Sequence, residues 1–98
     1  NTHIHTMRSL QSLLQRQASL KQAIADHLDL LIGSVGKSPA MGGYNLTTKI
    51  GGKTVTLYVR KSIAAQAQQM TRRHRKVRTL IQQLSRVNWQ LLQQSAED

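Results

Sequence analysis

Five cationic side chains fall within eight residues, Thr71 to Arg78 (TRRHRKVR): Arg72, Arg73, Arg75, Lys76 and Arg78. Guanidinium groups are planar forks of N–H donors that match phosphate oxygens and guanine edges, so this run points to recognition of a polyanion. Its surroundings are one-sided. From Leu30 to Ala96 there is no Asp or Glu, while Lys37, Lys49, Lys53, Arg60, Lys61 and Arg86 bring the cations of that stretch to eleven. A solvated helix face normally intersperses acids three or four residues from its bases. None does so here, and phosphate backbones are the natural counter-charge. An acidic protein partner ranks second, and plain solubility third.

The same lack of carboxylates removes the usual general acids, general bases and hard-metal ligands. With no cysteine, a disulfide frame, a thiolate metal site and a sulfur nucleophile are excluded as well. The reading is therefore of a protein that is not an enzyme, with no catalytic residue, no cofactor and no metal. His3 and His5 could pair on a metal, and Asp26, His27 and Asp29 form a small polar knot, but neither group supplies a closed zinc set. The segment Gly33 to Ser38 (GSVGKS) looks briefly like a phosphate-binding loop. It lacks the first glycine, because Leu31 holds that position, and it follows a helix where the motif requires a strand. Lys37 remains a cation that could touch a phosphate.

These side chains must be carried by a small scaffold. The chain has 98 residues, a formal net charge of +10 and a sequence pI near 11.3, which bounds it to a single domain over 1–98. With no Phe, its core must be built from Leu, Ile, Val, Ala and Met, and a thin core of this kind implies a partner, so a homodimer is expected. The longest apolar run, Leu30-Leu31-Ile32, falls far short of the roughly 20 residues of a membrane helix. The expected setting is soluble and cytoplasmic, nucleoid-associated if the partner is DNA.

The spacing Leu10, Leu13, Gln17, Leu20, Ile24, His27, Leu31 predicts a helix over about 6–32, stopped by Gly33. Residues 33–43 hold four of the six glycines and the only proline, and read as a loop. A β-hairpin follows over about 44–60, because two alternating runs flank Gly51-Gly52, where both turn positions can take positive φ. Pairing Ile50 with Lys53 sets Thr48 opposite Val55, Leu46 opposite Leu57 and Tyr44 opposite Val59. One face then carries Tyr44, Leu46, Ile50, Val55, Leu57 and Val59, and the other is polar. A second helix is predicted over about 62–95, with Ser62 as N-cap. Its stripe of Ile63, Ala67, Met70, His74, Val77, Ile81, Leu84, Asn88 and Leu91 has Leu80 and Val87 on one flank. At 1.5 Å per residue that helix is roughly 50 Å long, more than one small domain requires. Met70, His74, Val77, Ile81, Leu84, Asn88 and Leu91 are accordingly read as an oligomer seam in which Asn88 sets the register. The expected fold is α+β, mostly α: a long helix, a two-stranded hairpin and a longer helix folding back antiparallel, in a coiled-coil-like dimer.

The hairpin's outer face is a second candidate contact, with Lys49 and Lys53 near the tip and Asn45, Thr47, Thr54, Thr56 and Tyr58 behind, since a two-stranded ribbon can enter a major groove. Tyr44, Tyr58 and Trp89 are the only aromatic residues, too few for a stacking platform on single strands. The stretch Gly33-Ser34, Gly43-Tyr44, Gly52-Lys53-Thr54-Val55-Thr56 and Tyr58-Val59, followed by the basic helix to about Leu84, resembles an uncharacterised family of small prokaryotic helix–hairpin–helix proteins often found with mobile elements and transposases. That family tends to carry a cysteine pair after the Gly-Ser and a Pro between the Gly and Tyr. This chain has neither, so the resemblance implies a fold and a link to DNA transactions but no metal site. The function expected is non-enzymatic nucleic-acid binding, duplex DNA ahead of RNA, as an accessory factor or regulator of a mobile element. Arg72, Arg73, Arg75, Lys76 and Arg78 would hold phosphates, while Lys49, Lys53, Arg60 and Lys61 would contact a groove or the adjacent backbone. The alternatives are an interaction module or inhibitor that binds an acidic protein, and an RNA-binding subunit of a ribonucleoprotein.

Overall fold

The computed structural model describes residues 2–40 and 42–96, with side chains from residue 9 onward. In chain order it contains α1 (Thr2–Ala25), β1 (Ser34–Lys37), β2 (Tyr44–Ile50), β3 (Lys53–Val59), a 3₁₀ turn (Lys61–Ile63) and α2 (Ala64–Ser95). The fold is α+β and mostly helical, with a three-stranded antiparallel sheet in the order β1-β2-β3. It forms two compact units, one of Asn1–Asp26 with Val77–Asp98 and one of His27–Lys76, and α2 contributes residues to both.

In the unit His27–Lys76 the β2–β3 register is the one the diglycine dictates. Tyr44 pairs with Val59, Leu46 with Leu57, Thr48 with Val55 and Ile50 with Lys53. Gly51 and Gly52 have φ of 58° and 82°, the two positive values of a type I′ hairpin turn. Leu46 and Val59 are buried with Ala64 and Ala67 from the first turns of α2, and Leu31, Val35 and Tyr44 pack against them. Alanines on the helix let the sheet approach closely. The cover does not extend over the whole apolar face: Leu57 is 47% exposed and Ile50, beside the turn, 62%.

Three expectations about this unit are corrected. The first helix ends at Ala25 rather than near Ile32, and Leu28 to Ile32 run as irregular chain. The leucine pattern continues past Ala25, but tertiary partners claim these residues: the Leu31 N–H donates to the Met70 carbonyl at 3.1 Å, and Leu31 itself joins the core. The region 33–43 is not wholly loop, because Ser34–Lys37 adds β1 to the hairpin, pairing Ser34 with Thr47 and Val35 with Leu46. Gly33 makes this possible. It sits at φ +136°, and a Cβ there would fall onto the Thr47 carbonyl oxygen and 3.1 Å from Leu46 Cδ1. Finally, Ser62 is no N-cap. It lies inside the 3₁₀ turn, whose cap is Arg60, with no side-chain capping bond.

In the unit of Asn1–Asp26 and Val77–Asp98, α1 runs antiparallel to the second half of α2: Gln17 reaches Asn88, while Ser9 shares a concavity with Gln93 and Gln94. Leu20, Val77 and Val87 are buried, with Leu13, Ile24, Leu80, Leu84 and Leu91 half-buried. The buried line on α2 therefore runs through Leu80 and Val87, which the sequence placed on a flank. Ile81 is 50% exposed, and Asn88 is exposed with its Oδ1 accepting from Gln17 Nε2 at 2.8 Å. No described helix is long and apolar enough to cross a membrane.

Candidate nucleic-acid interface

The division into units also divides the charge. Residues 27–76 hold nine Lys and Arg against one carboxylate, Asp29, whereas the helix-pair unit holds five against three. All nine of those cations are exposed: Lys37, Lys49, Lys53, Arg60, Lys61, Arg72, Arg73, Arg75 and Lys76. A small sheet-and-helix unit thus carries nearly all of the unbalanced charge.

The α2 cluster is positioned by the burial of the opposite helix face. Ala64, Ala67 and Thr71 are buried, and Thr71, 2% exposed, is the largest fully buried side chain of the described residues. Its hydroxyl donates to the Gln68 carbonyl at 2.7 Å, which satisfies the group within the helix and leaves its methyl for packing. With that face turned inward, Gln69, Arg72, Arg73 and Lys76, at i, i+3, i+4 and i+7, share the outward face. They line one shallow concavity of about 400 Å³. Arg73 Nη1 donates to the Asp29 carbonyl oxygen at 3.0 Å, which orients the guanidinium without neutralising it and leaves its other N–H groups for a ligand. Arg75 lies on the flank, and Arg78, also exposed, belongs to the helix-pair unit. Met70 and His74 are half-buried within residues 27–76.

At the hairpin the register separates two lysines that the sequence reading placed together. Lys49 pairs with Thr54 and shares the polar face with Thr47 and Thr56, whereas Lys53 pairs with Ile50 and shares the other face. The two ammonium groups flank the tip instead of lining one surface. β1 pairs only with residues 44–47, so the ribbon stays two-stranded from Thr48 to Val55 and keeps the width that a major groove admits. Arg60 and Lys61 stand at the junction of β3 and α2.

Among the described residues no cluster of three or more His, Asp or Glu could hold a metal ion. Asp26 Oδ1 accepts from Gln22 Nε2 at 2.9 Å, and Asp29 offers its backbone carbonyl to Arg73, so these two members of the polar knot serve structural contacts. The side chains of His3 and His5 lie outside the described residues. Sequence reasoning passed over one further group, Lys37, Ser38, Gly42, Gly43, Tyr44 and Lys61, which line a pocket of about 240 Å³. Its advance signs were two lysines read separately, Lys37 of the failed loop motif and Lys61 ahead of the second helix. No protein-family model, no curated protein and no solved structure matches this chain.

Proposed function

We propose that this chain is a non-enzymatic nucleic-acid-binding protein that prefers duplex DNA, acting in the prokaryotic cytoplasm as an accessory factor or regulator of a mobile element. The observation that carries this reading is the outward face of α2, where Arg72, Arg73 and Lys76 converge on one concavity in a unit with nine exposed cations and a single carboxylate. The α2 face holds the phosphate backbone, and the two-stranded hairpin tip with Lys49 and Lys53 reaches the adjacent groove. Two copies associate through the helix-pair unit. Its lines Leu10-Leu14-Gln17 and Ile81-Asn88-Leu92 keep helical spacing, and the Gln17–Asn88 bond sets both on one side of the pair, with Leu14 and Leu92 exposed.

The test is binding to duplex DNA followed by fluorescence anisotropy between 50 and about 200 mM salt. Neutralising about six phosphates gives a slope of log affinity against log salt near −5, and replacing Arg72, Arg73 and Arg75 with Gln removes about 2.7 of that slope. Competition with single strands and structured RNA ranks the ligands in the same assay. A curve that hardly moves with salt, or a triple variant that binds like the wild type, overturns the proposal. A discrete complex with an acidic protein that persists at high salt would replace it with the interaction-module reading.

A further inference from the structure

The pocket beside the β1–β2 connection is a different kind of feature from the open face of α2. The sheet register sets Lys37 beside Tyr44 and Tyr44 beside Val59, and Lys61 follows Val59 by two residues. The ends of three strands therefore bring two ammonium-bearing side chains to one opening of about 240 Å³. Like charges that share a small opening repel, and an anion between them relieves the repulsion. The lining residues include no carboxylate, and the chain offers none between Leu30 and Ala96.

The rest of the lining suits an oxyanion. Ser38 is only 7% exposed and contributes to the wall, and its N–H donates to the Gly43 carbonyl at 3.0 Å, which holds the connection closed. Nothing lies within 4 Å of the Cβ position of Gly42, so a ligand can approach the main chain there. Lys61 also opens the 3₁₀ turn that leads into α2. Size decides the ligand class. Sites for drug-sized ligands run to roughly 300–1,000 Å³, and this smaller opening of about 240 Å³ has room for a phosphoryl group.

We infer that the pocket of Lys37, Ser38, Gly43 and Lys61 binds a single phosphoryl group, supplied by bound nucleic acid as a terminal monoester or an internal diester. The identity of the source rests on the nucleic-acid reading above, whereas recognition of the phosphoryl group does not. The open arginine face gives binding spread over many phosphates, and this pocket fixes one of them in place.

The test titrates the full, ¹⁵N-labelled chain with inorganic phosphate, with sodium chloride at equal ionic strength as control. Amide resonances of Ser38, Gly43 and Lys61 should shift saturably with phosphate alone, and Lys37→Gln and Lys61→Gln should each weaken the effect about tenfold, as expected for loss of a hydrogen bond to a charged group. The unperturbed remainder of the spectrum reports that each variant is folded. Shifts scattered without saturation over all exposed cations, or variants that titrate like the wild type, overturn the inference. Duplexes with 5′-phosphate and 5′-hydroxyl ends then separate the sources: a preference for the phosphate end that Lys61→Gln abolishes identifies the monoester. Equal binding, with a salt slope lowered by about one for each lysine removed, identifies the diester. If phosphate titrates the pocket but neither duplex binds, the pocket stands and the nucleic-acid reading falls. If duplexes bind and phosphate shifts nothing, the reverse holds.

Discussion

Replacing Gly33 with Ala tests whether β1 belongs to the sheet. Gly33 sits at φ +136°, and its new Cβ would meet the Thr47 carbonyl oxygen and, at 3.1 Å, both Leu46 Cδ1 and the Thr47 carbonyl carbon. Two of these three atoms are backbone and cannot swing aside, so relief requires parting β1 from β2 at the Ser34–Thr47 pair. The strained backbone alone costs about 1–3 kcal/mol. Lifting Val35 from the core and loosening the short ladder adds about 1–2 kcal/mol more. The expected loss of about 3 kcal/mol is a large part of the roughly 5–15 kcal/mol that stabilises a small domain, and corresponds to a fall in Tm of about 12 °C or more. Gly36→Ala is the internal control. Nothing lies within 4 Å of its Cβ position, and it lacks a positive φ, so that variant should lie within about 1 kcal/mol of wild type, on either side. Urea unfolding followed by circular dichroism, with hydrogen exchange of the Leu46 and Thr47 amides to report on this unit, measures both. A Gly33→Ala protein that matches Gly36→Ala in stability would refute the β1 pairing.

Gly43→Ala places a Cβ 2.5 Å from the Tyr58 hydroxyl oxygen and 2.8 Å from its ring, but a side chain can rotate away, so a loss of about 1 kcal/mol is expected, and Tyr58→Ala in the same background should recover most of it in a double-mutant cycle. Thr71→Val should stay within about 1 kcal/mol of wild type by urea unfolding despite complete burial, since the hydroxyl serves only the Gln68 carbonyl of its own helix. Leu20→Ala, at a site 4% exposed, should cost about 2–4 kcal/mol, and Leu14→Ala, at a site 47% exposed, less than about 1, in the same assay. Sulfate or a short duplex should raise the stability of residues 27–76 more than that of the helix-pair unit, read as amide protection in each, because nine cations repel one another in the first and only five, set against three acids, in the second.

What could be read in the sequence depended on whether an element carried its own instructions. The hairpin did. Gly51-Gly52 permits one tight turn, and the alternation on both sides leaves a single register, the one found. β1 carried none, because Ser34-Val35-Gly36-Lys37 has one apolar residue and becomes a strand only when β2 lies beside it. The end of α1 was hidden for the opposite reason. Leu28, Leu31 and Ile32 continue a helical pattern that the Met70 carbonyl and the sheet core overrule. On α2 the apolar stripe was broad enough to hold two parallel lines, Leu80 with Val87 and Ile81 with Asn88. Only the position of α1 decides which is buried. The arginine cluster was plain in the sequence because its members are contiguous, but the Lys37–Lys61 pocket depends on Lys37 ending β1, a strand whose pairing with β2 was not foreseen.

The placement of charge is informative because it opposes stability. The unit His27–Lys76 has a small core, four buried residues with Leu31, Val35 and Tyr44 packed on them, and it bears nine cations that repel one another. The helix-pair unit buries Leu20, Val77 and Val87, and it carries charge close to balance. If charge served solubility alone, it would be dispersed over both units and interspersed with acids, since mixed signs hold a protein in solution without straining a thin core. Its concentration on one unit, around one helix face, one hairpin tip and one small pocket, fits a surface whose counter-charge arrives with its ligand. An anionic ligand bound there would relieve the repulsion among those cations and so stabilise the unit.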